Sequence, residues 1–147
     1  MLKGPTIFMS ASIDTLIDRI LSKKHKNSKT DSLTAAQSRL LFLLWNNDNI
    51  PIKEVSRITH LKKSTLTSTL KKLEKAGHIK LTPSDKDKRG ILVQIANKNE
   101  YLVALNKKFI DETADIFYKG FTEKETELYE SFLNRTLMNL VEYENEL

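Results

Sequence analysis

Apolar positions in this chain recur with two different periods, and the change from one to the other divides the sequence into elements. Ile13, Leu16, Ile17, Ile20 and Leu21 stand at helical spacing, so an amphipathic helix is predicted over about residues 11–24. The polar run from Lys23 to Ser32 breaks that pattern and reads as a loop. Thr34 and Gln37 then stand at the spacing of a capping box, in which each residue satisfies an orphan backbone donor of the other. The helix they open is densely apolar at Leu40, Leu41, Phe42, Leu43, Leu44 and Trp45, which places it at the centre of a core. Asn46, Asn47, Asp48 and Asn49 end it.

Pro51 suits the first turn of a further helix, where a missing N–H costs nothing. Ile52, Val55 and Ile58 give this helix one apolar stripe, and Thr59-His60 stop it after about two turns. Leu66, Leu70 and Leu73 define the buried stripe of the next helix, which closes at Ala76-Gly77 with a glycine C-terminus. The period then changes. Ile79 and Leu81 alternate inward, as do Ile91, Val93 and Ile95, with Pro83 to Gly90 as a long tip between them. Beyond Ala96 helical spacing returns at Leu102, Leu105, Phe109, Ile116 and Phe117. A second capping box, Thr122 with Glu125, opens a last helix carrying Leu128, Phe132, Leu133, Leu137, Leu140 and Val141. The predicted fold is mainly α with one small β-hairpin.

A short helix, a tight turn, a longer helix and a hairpin in that order describe a winged helix-turn-helix. With Leu66, Leu70 and Leu73 turned inward, Ser64, Thr67, Ser68, Lys71 and Lys75 lie opposite them, flanked by Thr65 and Lys72. Small hydroxyls approach base edges or phosphates closely, and lysines contact phosphates without reading sequence. The helix has no Arg, Asn or Gln, so base readout is expected to be modest or indirect. Arg89, on the projecting hairpin, can enter a narrow minor groove. Asp87 has no attraction to DNA and is expected to pair with an arginine and shape the tip. The alternative for both features is a solvated helix face and a solvated turn.

Charge sharpens the choice. The net charge of +5 divides into +3 over residues 1–50, +7 over residues 51–95 and −5 over residues 96–147. A concentrated basic patch attracts polyanions and speeds encounter with them. The 147 residues suit a single compact domain. No cysteine is present, so disulfides and thiolate chemistry are excluded. His25, His60 and His78 lack metal-ligand spacing. No apolar run reaches membrane-spanning length and the N-terminus does not read as a signal peptide, so a cytoplasmic protein without membrane association is expected. Glycine-rich phosphate loops and nucleophile–base arrangements are absent, so an enzyme is not expected, and neither is a cofactor or metal.

From about Ile13 to Leu140, and most strongly from Glu54 to Ile95, the chain resembles the MarR family of transcription regulators. Leu73, Glu74, Gly77 and Ile79 are similar to the end of that family's recognition helix. Asp87-Lys88-Arg89 matches its Asp-x-Arg wing motif, and Phe121 to Glu125 resembles the opening of its last helix. Thr59-His60 stand at a turn where the family often carries glycine. Lys62 stands where a serine-type cap is common, and Ala96-Asn97-Lys98-Asn99 replace a Thr-Glu-Lys-Gly-like start. The resemblance implies one MarR-like domain over residues 1–147, with a winged lobe at about 34–96 and dimerisation helices at about 11–24 and 97–143. It further implies a homodimeric regulator of double-stranded DNA, a repressor on a pseudo-palindromic operator, with a small-molecule effector of unknown identity. The recognition helix would enter the major groove and the wing the minor groove. The residues expected to contact DNA are Lys62, Lys63, Ser64, Thr65, Thr67, Ser68, Lys71, Lys72, Lys86, Asp87, Lys88 and Arg89. The competing reading is a winged helix used for protein–protein assembly without specific DNA binding.

Overall fold

The computed structural model describes residues 4–28, 33–87, 89–96 and 100–147. Along them run α1 (Gly4–Asn27), α2 (Ala35–Asn46), β1 (Ile50–Pro51), α3 (Ile52–Thr59) and α4 (Lys63–Lys75). These are followed by β2 (Ile79–Pro83), β3 (Ile91–Ile95), α5 (Glu100–Phe117) and α6 (Glu123–Glu146). The chain forms two compact units, one ending at Thr113 and the other Ala114–Leu147.

The first unit is built on leucine. Leu41 and Leu44 of α2, Val55 of α3, and Leu66, Leu70 and Leu73 of α4 pack with Ile79, Val93 and Leu102 into one cluster. Each end of these helices has a local cause. The Thr34 hydroxyl accepts from Gln37 N at 3.2 Å, and Gln37 Oε1 accepts from Thr34 N at 2.9 Å, completing the expected capping box. Pro51 caps α3 in an extended conformation, with φ −61° and ψ 143°. At the far end of α4, Gly77 takes φ 78°. His78 N then reaches Leu73 O at 3.0 Å and Gly77 N reaches Glu74 O at 2.9 Å, the paired bonds of a Schellman closure.

The sheet is antiparallel in the order β1-β3-β2. The hairpin register pairs Ile79 with Ile95, Leu81 with Val93 and Pro83 with Ile91. Strand β1 is an addition to the predicted hairpin: Ile50 pairs with Val93 and Pro51 with Leu92. Two residues are too few to show a period, and Pro51 is tolerated because β1 is an edge strand. The inward alternation holds at Ile79 and Val93 but not at Ile91, which is exposed where the hairpin projects beyond the body. Ile58 is likewise exposed, so the apolar stripe of α3 is narrower than expected.

Helix α1 is longer than predicted at both ends, and the polar run from Lys23 to Asn27 is helical rather than looped. Lysine favours helix, and one residue of that run, His25, is fully buried. It lies beside a second apolar cluster of Leu21, Ala35 and Phe109 that joins α1, α2 and α5. Its Nε2 is 3.0 Å from Asn106 Oδ1 and 3.1 Å from Ser38 Oγ. The Ser38 hydroxyl donates to the same Asn106 oxygen, and Asn106 Nδ2 donates to Ser38 O at 3.1 Å. Nearby, Lys24 pairs with Glu112, and Arg39 pairs with Asp18 at 2.6 Å. The remainder of the expected loop, residues 29–32, lies outside the described residues, as do Asn97, Lys98 and Asn99 before α5.

In the second unit, Gly120 turns the chain with φ 88°, and Thr122 with Glu125 forms the second capping box. Phe117, Tyr118, Phe121 and Tyr129 cluster with ring centroids 4.9 to 6.5 Å apart, edge to face except for the tilted pair of Phe117 and Tyr129. Helix α6 buries none of its residues, and Leu128, Phe132, Leu133, Leu137, Met138 and Leu140 are exposed along it. Ile116, predicted to line the apolar side of α5, is exposed as well.

His60 generates a test of the turn between α3 and α4. Its φ of 53° and ψ of 18° are left-handed, a region that costs a side chain about 1–2 kcal/mol unless it is glycine. His60→Val is therefore expected to lower stability by about 1–2 kcal/mol, while His60→Gly leaves it unchanged or raises it. Chemical denaturation of the three proteins measures this; equal midpoints for the Val and Gly variants would contradict it.

Candidate nucleic-acid interface

The interface begins from the leucine stripe of α4. Leu66, Leu70 and Leu73 are essentially without solvent exposure, and at 100° per residue their burial turns the opposite face of the helix outward. Ser64, Thr65, Thr67, Ser68, Lys71, Lys72 and Lys75 are all exposed, as predicted from the stripe, and so are Lys62 and Lys63 before it. Lys63, Ser64, Thr67, Ser68, Lys71 and Lys72 line a broad, shallow depression of about 910 Å³. The Thr69 hydroxyl is spent on Thr65 O within the helix, so Thr69 does not add to this face.

The N-terminus of α4 is electrostatically unusual. Lys62 is the N-cap residue and offers no side-chain hydrogen bond to the first turn, which contains no acidic residue. Free amide donors and the positive end of the helix dipole thus stand beside Lys62 and Lys63. That concentration favours an anion such as a phosphate.

The wing is held in place from α4. Glu74 Oε1 accepts from Leu81 N at 3.0 Å, tying the last turn of the helix to β2. At the other side of the sheet, Asp48 Oδ1 accepts from Ile95 N at 2.8 Å, and Gln94 Nε2 donates to Asn49 Oδ1 at 2.9 Å. Glu74, Asp48 and Asn49 were not among the residues expected from sequence to bear on the interface. Their partners are 7 to 47 residues away, and only Glu74 left a trace in the sequence, through the helix-ending motif.

The tip closes on itself. Ser84 N donates to Gly90 O at 2.9 Å and Gly90 N to Asp87 O at 2.8 Å. Asp87 N donates to Ser84 Oγ at 3.3 Å, and the Asp87 carboxylate accepts from Arg89 N at 3.0 Å. Asp87 therefore shapes the tip through the main chain of Arg89 and not, as expected, by pairing with a guanidinium. The local turn leaves the Arg89 side chain exposed, and among the described residues its guanidinium has no ion pair. Gly90 fits closely against this turn: a Cβ there would lie 3.2 Å from Asp87 O. Lys86 is exposed on the same tip. Lys88, also expected to contact DNA, lies outside the described residues.

On α3, by contrast, the guanidinium of Arg57 is committed to Glu54 at 2.5 and 2.9 Å. Those hydrogen bonds hold the Glu54 carboxyl below the usual carboxylate range. No group of acidic, histidine or cysteine side chains among the described residues could hold a metal ion.

Residues 33–91 match the model of the MarR family. The organic hydroperoxide resistance transcriptional regulator of Bacillus subtilis (strain 168) is 30% identical over 71 residues, covering 48% of this chain and 48% of that protein. The matching part spans at most about half the length of such curated relatives. Among solved structures, a MarR protein from Peptoclostridium difficile superposes with a TM-score of 0.83 at 23% identity, covering 95% of this chain and 90% of that one. A mutant MarR from E. coli complexed with operator DNA gives 0.76 at 21% identity, covering 91% and 94%. At these identities the superpositions establish the fold.

The tip geometry predicts a specific loss. Asp87→Ala removes the acceptor for Arg89 N, so amide exchange at Arg89 is expected to speed up by about an order of magnitude while global stability changes by less than about 0.5 kcal/mol. Hydrogen exchange followed by NMR measures both, and an unchanged Arg89 rate would contradict the assigned turn.

Proposed function

With a winged lobe at residues 33–91 that belongs to the MarR family as the premise, we propose that the chain is a DNA-binding transcription regulator that acts as a repressor. The observation that carries this reading is the outward face of α4, with small hydroxyls and four lysines, set beside a wing whose exposed Arg89 has no ion pair among the described residues. Such a surface is costly to keep as bare charge and well suited to a phosphate backbone.

In this proposal α4 lies in the major groove. Ser64, Thr65, Thr67 and Ser68 approach bases and sugars, while Lys62, Lys63, Lys71 and Lys72 neutralise phosphates. Arg89, steered by Lys86, enters the minor groove, and Asp87 acts indirectly by fixing the main chain beneath Arg89. Lacking a bidentate base reader on α4, the protein draws much of its specificity from groove width and DNA deformability. Repression follows by exclusion, since a site occupied by this protein is closed to others.

The proposal includes a homodimer on a pseudo-palindromic site. Its support is the apolar face that α6 exposes from Leu128 to Leu140, together with exposed Ile7, Phe8 and Met9 on α1. Surfaces of this kind are stabilised by a partner, and a two-fold pair of lobes would match the symmetry of a palindrome.

Binding to DNA from the region upstream of the protein's own coding sequence, against unrelated DNA across a salt series, tests the function. Steep salt dependence with a clear preference for the upstream DNA is expected. Weak binding without preference would favour a protein-assembly module instead. Within that assay, Lys71→Ala is expected to weaken binding to all sequences about equally and to reduce the salt slope by about 1. Arg89→Ala should weaken binding at matched salt, most strongly on sites with a narrow minor groove. Unchanged affinity for Arg89→Ala would remove the wing from the interface.

A further inference from the structure

The buried histidine is not used by the DNA-contacting surface, yet it occupies the one place where α1, α2 and α5 share polar contacts among the described residues. Its protonation state follows from its partners. Asn106 Oδ1 can only accept, so the Nε2 that faces it at 3.0 Å must carry the hydrogen. Asn106 is itself oriented by the bond from its Nδ2 to Ser38 O. The other ring nitrogen, Nδ1, is therefore the bare lone pair of a neutral imidazole, and among the described residues it is buried without a hydrogen-bond partner. The edge-to-face contact with Phe109, at 5.1 Å between centroids, provides one of its walls.

We propose that His25 is a proton-operated latch: neutral, it stitches α1 and α5 to α2, and on protonation it opens that joint and weakens DNA binding. A second proton would have to sit on Nδ1, where no acceptor waits, and would put a charge into an apolar seam. Burial accordingly pushes the imidazole below its ordinary value, against a smaller upward pull from the hydrogen bond to Asn106.

None of the surrounding charges offsets that penalty. On α1, Lys24 is paired with Glu112 and lies 5.4 Å from the Phe109 ring centroid, and Asp18 is paired with Arg39. On α2 the charged neighbour is Arg39 itself. On α5, Lys108 stands 3.8 Å from Glu112. Glu112 is held below the usual carboxylate range, chiefly by its hydrogen bond from Lys24.

The sign is fixed by linkage. A group whose folded form resists protonation contributes stability that is fully present above the unfolded value of about 6.5 and is lost as pH falls below it. The ratio of open to closed joint should then rise by up to about tenfold for each pH unit below about 6.5. The DNA effect rests on the function proposed above.

The test is a titration from about pH 8 to about pH 5 of the full chain and of His25→Gln, whose amide nitrogen can still donate toward Asn106 but cannot titrate. Imidazole nitrogen shifts by NMR, thermal unfolding and DNA affinity are read at each pH. The expected results are a neutral Nε2–H tautomer for His25 near neutral pH, and an unfolding midpoint and DNA affinity that fall with acid. In His25→Gln both should be flat, or DNA affinity should rise. A charged imidazole or an Nδ1–H tautomer near neutral pH would overturn the latch, and so would the same acid loss in His25→Gln. Should that variant not fold, the nitrogen shifts and the wild-type unfolding profile decide alone. If the wild-type protein binds no DNA at any pH, the function proposed above fails, while those two readouts still decide the latch.

Discussion

Three leucines on the inner face of α4 carry the geometry of the winged lobe. Leu66, Leu70 and Leu73 are sealed against Leu41 and Leu44 of α2, Val55 of α3 and the sheet residues Ile79 and Val93. Burying each side chain contributes roughly 1.5–3 kcal/mol, and close packing makes the arrangement intolerant of rotation. A rotation of α4 by one residue would turn the leucines outward and bring threonine and lysine side chains inward. The outward face of hydroxyls and lysines therefore has no orientation of its own to choose. It is what remains after the leucines have been placed.

The same economy extends to the wing. The closure at Gly77 ends α4 with two main-chain hydrogen bonds, and Glu74 reaches across that closure to the start of the hairpin. Helix and wing are joined through a turn of fixed conformation, with a polar tie on one side and the Asp48 and Asn49 contacts on the other. At the tip, a carboxylate beside a cluster of cations looks misplaced for binding a polyanion. Its hydrogen bond to Arg89 N explains it: the negative charge is spent on shaping the turn, and the guanidinium is left exposed.

Much of this was legible beforehand because it depends on neighbours in the chain. Both capping boxes, the leucine stripe and the glycine after α4 follow from residues a few positions apart. What was not legible depends on distant partners. His25 sits in a lysine-rich run that reads as solvent-exposed loop, and only Ser38 and Asn106, which are 13 and 81 residues away, make it a core residue. Strand β1 is two residues long and exists only because β3 has a free edge beside it. For Asp87 the sequence indicates the turn it shapes but not its partner, since it does not distinguish a side-chain ion pair from a bond to the main chain.

By itself the amino-acid sequence determined the element types, the face of α4 that is buried and the region of positive charge, because period, capping chemistry and composition act over a few residues at a time. The tertiary structure alone decided which polar groups are buried together, how the wing is tied to α4 and that α6 keeps an exposed apolar face. Those outcomes depend on which surfaces meet, and burial is a property of the pair of surfaces in contact, not of the residues on either one.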